Sequence, residues 1–241
     1  MRRWKKFLFI KLPLLLLLLS LLWVTVLKVV PVYWTPLMTK RAVQYKPEEK
    51  VRTRHTWVPL ERISPEMIKA VIASEDNRFA QHNGFDTTEI RKMFHQHAHH
   101  GKKLRGCSTI SQQTAKNVFT LCSDTGWRKI VEAYYTFLIE KIWGKKRIME
   151  VYLNVAEMGK GIYGIEAAAK AYYGTTAAKL NASQAARIAA CLPSPLKRSP
   201  NGNSDFIAKR EKQIRSVMGK LKYPDWVTHT KKDNKEKKKK K

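Results

Sequence analysis

The feature that most constrains this chain is Phe7–Leu27, a 21-residue apolar run broken only by Lys11 and containing Leu14 to Leu19 without interruption. As a helix at 1.5 Å per residue it reaches about 31 Å, which matches a hydrocarbon core of about 30 Å. Lys11 would cost roughly 2.5–3.5 kcal/mol at mid-bilayer. It lies about one turn from the end of the run and can snorkel to the interface. The segment after it, Lys28-Val-Val-Pro-Val-Tyr-Trp, has no small-x-small cleavage site, so an uncleaved anchor is expected rather than a signal peptide. Arg2, Arg3, Lys5 and Lys6 precede the run, which places residues 1–6 in the cytoplasm and everything after residue 30 outside. Trp23, Tyr33 and Trp34 suit the outer interface.

With the anchor and the C-terminal tail set aside, roughly 195 residues remain, enough for one domain and not for a second large one. Three cysteines, 107, 122 and 191, are odd in number and show no C-x-x-C spacing, which supports neither a disulfide framework nor a thiolate zinc site. The net charge is +28 at pH 7, and most of it lies outside the two ends. A basic body favours polyanions: nucleic acid, anionic lipid head groups or a pyrophosphate-bearing substrate. Outside a membrane, nucleic acid is not the usual polyanion and lipid-linked phosphate is, so no nucleic-acid partner is expected.

Residues 31–62 are polar and mixed, with Pro36, Pro47 and Pro59, and read as a stalk. Ser64-Pro65-Glu66 is an N-cap with Pro at the first helical position, and Ile68, Val71, Ile72, Glu75 and Phe79 follow at helical spacing. The patterns predict further helices over 86–98, 108–119, 127–143, 145–158, 161–172, 181–191 and 204–221. No run alternates convincingly at period two. The expectation is a mostly α, all-α domain over 63–222, without internal repeats. The end of the chain, 223–241, is basic, and 229–241 is too charged to pack.

Three stretches offer chemistry. Glu75 projects from the apolar stripe of its helix, so it is partly desolvated, and burial would make it a stronger base than a surface carboxylate. The alternative is a structural carboxylate paired with Arg78. Gly106-Cys-Ser108-Thr109-Ile-Ser-Gln112-Gln113-Thr-Ala-Lys116-Asn117 reads as a turn, a cap and a helix whose first turn has free N–H groups, suited to sugar and phosphate. It is equally readable as a capped surface helix. Arg128-Lys129-Ile-Val-Glu132 is either an ordinary i, i+4 ion pair or part of a site. The cluster His95, His97, His99 and His100 suggests adventitious metal binding, because no carboxylate or Cys near it in sequence completes a site. Ser194-Pro-Leu-Lys197 matches a Ser-x-x-Lys pattern, but it lies in a Pro-rich breaker without the accompanying motifs of acyl-transfer enzymes.

In this order, these stretches resemble the peptidoglycan glycosyltransferases, specifically the monofunctional biosynthetic transglycosylases that polymerise lipid II. Glu75, Asp76, Phe79, His82 and Gly84 match Glu-Asp-x-x-Phe-x-x-His-x-Gly, residues 106–117 match the second motif, and 128–132 match Arg-Lys-x-x-Glu. Lys145, Ile148, Met149, Glu150, Tyr152, Leu153 and Asn154 match the fourth, and Ala171-Tyr-Tyr-Gly174 and Leu192-Pro193 complete the series. Gln184, where Glu is common, and Lys197-Arg-Ser-Pro200, where Tyr-Asn-Pro is common, depart from the pattern.

The resemblance implies a lysozyme-like α-fold behind a single transmembrane helix, with a mobile segment around 85–105. It implies that Glu75 is the general base on the acceptor's 4-OH, supported by Asp76, with Glu132 the second essential carboxylate. Lys116, Arg128 and Lys129 would bind pyrophosphate. Phe79, His82, Ser108, Thr109, Gln112, Gln113, Asn117 and Asn154 would form or support the substrate cleft. No obligatory cofactor is implied, with a divalent cation, Mg or Mn, as an optional addition. The implied partners are lipid II, the growing glycan strand and other cell-wall synthesis or division proteins, at the outer face of the bacterial inner membrane. A lysozyme-like hydrolase would not need the basic set Lys116, Arg128 and Lys129, and a purely binding scaffold would not need Glu75.

Overall fold

The computed structural model describes residues 7–101, 108–120, 126–202 and 204–228. Cys107, Cys122, residues 1–6 and the charged tail 229–241 lie outside the described residues. Helix α1, Phe7–Leu27, begins with a π-helical turn and leaves its leucines exposed along most of its length. Only Val24 and Leu27, in its last turn, are buried, and they are covered by the body of the protein.

A helix ends with carbonyls that have no partner within it. Here the body supplies partners. Trp143 Nε1 donates to the Val24 carbonyl at 2.7 Å, and Arg147 Nη2 donates to Leu27 and Val30 carbonyls at 2.8 and 2.6 Å. One turn deeper, the Ser20 and Tyr134 hydroxyls lie 2.7 Å apart. The anchor is therefore fastened to the domain and not merely joined to it by chain.

The segment expected as a stalk is also fastened. Helix α2, Pro36–Gln44, is capped by Thr35, whose hydroxyl accepts from Met38 N at 3.3 Å. Its Leu37 and Met38 pack with Tyr163 in a small apolar cluster. Arg41 forks onto both oxygens of Glu157 at 3.0–3.2 Å. The polar composition of 31–62 reflects ion pairing to the domain, which spacing cannot reveal.

The body is built from α3 (Pro65–Glu75), α4 (Thr87–His100), α5 (Ile110–Phe119), α6 (Gly126–Ile142), α7 (Gly144–Val155), α8 (Ile165–Tyr173), α9 (Ala182–Cys191), α10 (Asp205–Met218) and the short α11 (Asp225–Thr228). Of the caps the sequence offers, Ser64 accepts from Glu66 N and Asn181 forms a reciprocal capping box with Gln184, whereas Ser204 precedes α10 without a side-chain cap. That box accounts for Gln184, since an amide serves at this position as well as a carboxylate. Helix α3 packs on α9 and α10, while α5 packs on α6 and α7. Helix α7 buries Ile148, Met149, Val151, Tyr152, Leu153, Asn154 and Val155, so it runs through the core rather than along it. Helix α4 presents no buried side chain among those described and lies on the outside.

The helices expected over 145–158 and 161–172 are both cut short by one corner. The chain leaves helix at Val155 and forms a small sheet, β1 (Arg54–His55), β2 (Glu157–Gly159) and β3 (Ile162–Tyr163), ordered β1-β3-β2. β1 and β3 are parallel, with Arg54 opposite Ile162, and β2 and β3 are antiparallel. Strands of two or three residues leave no alternation to read. Gly164 closes the corner at φ 76°, where a Cβ would lie 2.4 Å from the Asn154 carbonyl oxygen. Replacing Gly164 by Ala is expected to destabilise the protein by about 2–4 kcal/mol, because both the positive φ and the backbone contact must be relieved. Chemical denaturation of the two proteins in detergent checks this.

Candidate active site

Helix α3 ends at Glu75, with Asp76 as its C-cap residue. Glu75 opens on a cleft of about 390 Å³ lined by Ser74, Asp76, Arg78, Asp86, Lys92 and Ser108, among others. Its Oε2 accepts from Gln113 Nε2 of α5 at 2.9 Å, and its Oε1 is 3.4 Å from the Ser74 hydroxyl. Burial pushes the Glu75 carboxyl above the ordinary carboxylate range. The Gln113 and Ser74 hydrogen bonds and the charge of Arg210 oppose that shift, and the Asp76 charge adds to it. Arg78 sits 3.4 Å from Asp86, so the alternative of a Glu75–Arg78 ion pair is replaced by a different pairing.

Asp76 faces inward. Its oxygens accept from His82 Nε2 at 2.9 and 3.0 Å, and Oδ2 also accepts from the Ile110 N–H at 3.1 Å. Gly84 N donates to His82 Nδ1 at 3.2 Å, which assigns the ring proton to Nε2. Thr109 Oγ1 donates to the Gly84 carbonyl at 2.6 Å while Thr109 and Gln112 form a capping box at the start of α5. The first two motifs are thus stapled together by side-chain to backbone bonds. Behind them, the Glu140 carboxylate accepts from Ser111 and from Lys145 at 2.6 Å, and Lys145 lies 4.5 Å above the Phe79 ring.

On α6, Glu132 is 2% exposed and accepts from Lys129 Nζ, three residues earlier, at 2.6 Å. Lys129 itself is largely exposed, and Arg128, Lys116 and Asn117 are half-buried. Spacing offers Arg128 as an i, i+4 partner of Glu132; the structure also gives Glu132 a short contact with Lys129, at i−3.

Several residues expected to meet substrate are largely enclosed by the protein. Phe79, Thr109, His82 and Asn154 are buried. Asn154 spends its amide on the Val58 N–H and C=O and on the Glu150 carbonyl, at 2.8 Å each. Gln112 is committed to its capping box. These side chains support the cleft walls and have little or no surface to offer a ligand. Ser108 and the edge of Thr109 line the cleft.

Asp76, His82 and Asp86 bring ligand atoms within 4.8 Å of one another. They fit a divalent cation poorly, because His82 and Asp76 already satisfy each other, Asp86 caps Glu89 N at 2.9 Å, and Arg78 brings a positive charge to Asp86. Two site residues lie outside the sequence reading. Tyr152, read there only as part of a motif, donates to Gln113 Oε1 at 3.3 Å; Arg210 of α10 reaches the Ser74 carbonyl at 3.4 Å. Neither could be found from spacing, because each arrives from a helix remote in sequence.

Residues 42–219 match the family model described as Transglycosylase. The chain belongs to the transglycosylase family. It is 51% identical over 225 residues to the biosynthetic peptidoglycan transglycosylase of Bacteroides thetaiotaomicron, covering 92% of this chain and 90% of that one. The protein of the same name from Caulobacter vibrioides is 49% identical over 185 residues, 77% and 78% of the two chains. That from Aeromonas hydrophila is 46% identical over 191 residues, 79% and 80%. This transglycosylase is a glycosyltransferase, with the mostly α, lysozyme-like fold of its family.

The raised Glu75 carboxyl has a consequence for stability. Above its folded value the ionised group is held in a place that disfavours charge, whereas below the ordinary Glu range both folded and unfolded forms are protonated. Glu75→Gln is therefore expected to raise the melting temperature at pH 7 and to lose that advantage near or below about pH 4. Thermal unfolding at the two pH values checks it.

Proposed function

We propose that this transglycosylase builds peptidoglycan by polymerising lipid II into β-1,4-linked glycan strands, inverting MurNAc C1 and releasing undecaprenyl pyrophosphate, without peptide cross-linking. The observation that carries the reading is Glu75: a desolvated carboxylate facing an open cleft, with one oxygen tied back to Gln113 and the other held only by a long contact. The curated relatives bear the same functional name and cover nearly the same length.

In the proposed step the acceptor's GlcNAc 4-OH gives its proton to Glu75 as its oxygen bonds to C1 of the donor. The bond from C1 to the pyrophosphate oxygen breaks with its electron pair, and Lys116, Arg128 and Lys129 stabilise the charge that accumulates there. Glu132 holds Lys129 and so positions part of that basic set. Asp76 positions rather than reacts, since its oxygens are spent on His82 and Ile110. Ser194 and Lys197 lie in a turn after α9, with Lys197 N donating to the Ser194 carbonyl, and take no part.

The membrane location belongs to the same proposal. Trp127, Ile130 and Phe137, on α6, are 75%, 60% and 55% exposed, and Tyr134 of that helix touches Ser20 inside the apolar span. If α1 crosses the bilayer with its N-terminus inside, this part of α6 lies at the depth of the outer leaflet. The pyrophosphate site then faces the head-group region from which a lipid-linked donor arrives.

Labelled lipid II incubated with the detergent-solubilised protein should give long polymer, and Glu75→Gln should slow polymerisation by roughly 10²–10⁴. Shortened strands, or full activity in the variant, would overturn the reading. For the membrane placement, acyl chains brominated in the outer leaflet should quench Trp127, and Trp127→Phe should remove that component of the quenching.

A further inference from the structure

Glu75 has two oxygens, and the transfer proposed above needs one of them free. Oε2 is held by Gln113 Nε2 at 2.9 Å, whereas Oε1 meets, among the described residues, the Ser74 hydroxyl at 3.4 Å. That asymmetry depends on which end of the Gln113 carboxamide points at Glu75. A carboxamide rotated by half a turn presents oxygen where it now presents NH2, and oxygen against a carboxylate repels.

The other end of the amide is engaged by Tyr152. Its hydroxyl, from the buried centre of α7, donates to Gln113 Oε1 at 3.3 Å. A neutral phenol can donate or accept, but among the described hydrogen bonds the Tyr152 O–H has Gln113 Oε1 as its acceptor, and with the amide reversed that O–H would lose its acceptor while oxygen faced Glu75 Oε2 and the Ser108 carbonyl. Tyr152 is kept protonated: burial and the nearby Glu75 and Asp76 charges hold its pKa well above the ordinary phenol value. The Ser108 carbonyl, 3.4 Å from Gln113 Nε2, gives the NH2 end a second acceptor on the same side. Tyr152 is 1% exposed, so it does not reach a ligand in the cleft.

We propose that Tyr152 is a positioning residue for the base: through Gln113 it directs an N–H onto Oε2 of Glu75 and leaves Oε1 as the oxygen that takes the acceptor's proton. The inference rests on the assignment of Glu75 as base only for its effect on catalysis; the chain from Tyr152 to Gln113 to Glu75 stands on geometry. The other groups acting on Glu75 are Asp76 at the end of α3, Ser74 one residue before it and Arg210 of α10. None of these contacts Gln113 among the described hydrogen bonds, so a change at Tyr152 reaches Glu75 through the amide.

The test reads the Glu75 carboxyl directly, by ¹³C-NMR titration of the full chain in detergent, alongside the pH profile of lipid II polymerisation. Tyr152→Phe keeps the ring and removes the hydroxyl. The Glu75 midpoint should rise by about half to one pH unit, as a donor to its charged form is lost. The acid limb of kcat should follow it, with KM for lipid II unchanged. Gln113→Ala should raise the midpoint by itself, and adding Tyr152→Phe to it should change nothing further. If Tyr152→Phe fails to fold, fluorotyrosine at position 152 keeps the ring and strengthens the hydroxyl as a donor, so the Glu75 midpoint should move down, and an unmoved midpoint would overturn the proposal. An unchanged midpoint in Tyr152→Phe, or an equal further shift in the Gln113→Ala background, would overturn the proposal. A shifted midpoint with an unshifted kcat profile would support the relay and overturn Glu75 as the base.

Discussion

The Asp76 carboxylate is the constraint on which the site depends. It lies at the C-terminus of α3, receives the His82 ring and the Ile110 N–H, and thereby ties the turn after α3 to the first turn of α5. A buried carboxylate without those donors would be costly, and the donors without it would be left unsatisfied, so the three groups require one another. Everything that makes Glu75 useful follows from this junction. It fixes α5 at the distance from α3 that lets Gln113 reach Glu75. Of two adjacent acidic residues on the cleft, Asp76 is spent on His82 and Ile110, and Glu75 is left with a single short hydrogen bond among those described.

The second constraint is mechanical. Trp143 and Arg147, on the turn and helix that follow α6, bind the last carbonyls of α1, and Arg147 also pairs with Glu150, whose other oxygen accepts from Leu60 N. The guanidinium lies 5.1 Å from the Trp57 ring. One arginine therefore joins the anchor, the segment before α3 and the core helix α7. A tether alone would raise local concentration but leave orientation free. Bonds to the end of the helix also fix the orientation of the domain relative to that helix.

The two carboxylates given roles in the proposed reaction occupy contrasting environments. Glu75 is pushed up by burial and answered by neutral donors and a more distant arginine, whereas Glu132 has the Lys129 ammonium 2.6 Å away. A group that must accept a proton benefits from the first arrangement and a group that orients cations from the second. Arg210 and Tyr152 act on Glu75 from α10 and α7, helices remote from it in sequence, which is why the base is tuned by residues beyond its own motif.

Much of this was legible in the linear chain. The apolar run before residue 28, the caps at Ser64 and Asn181, and the helical spacing from Ile68 to Phe79 are local properties, set by side-chain period and by which backbone groups a helix leaves unpaired. So was the placement of Glu75 on an apolar stripe, which already implied a desolvated carboxylate. The strands were not legible because two or three residues leave no alternation to read, and the fastening of residues 31–62 was not because it rests on pairs separated by about a hundred residues, such as Arg41 with Glu157 and Val58 with Asn154. Nor could the sequence separate Asp76 from Glu75, give Arg78 to Asp86, or place Tyr152 behind Gln113. Spacing determines which residues share a face of one helix. Only the packing of α3, α5 and α7 against one another decides which hydrogen-bonding groups meet, because that depends on distances across the core that no local period encodes.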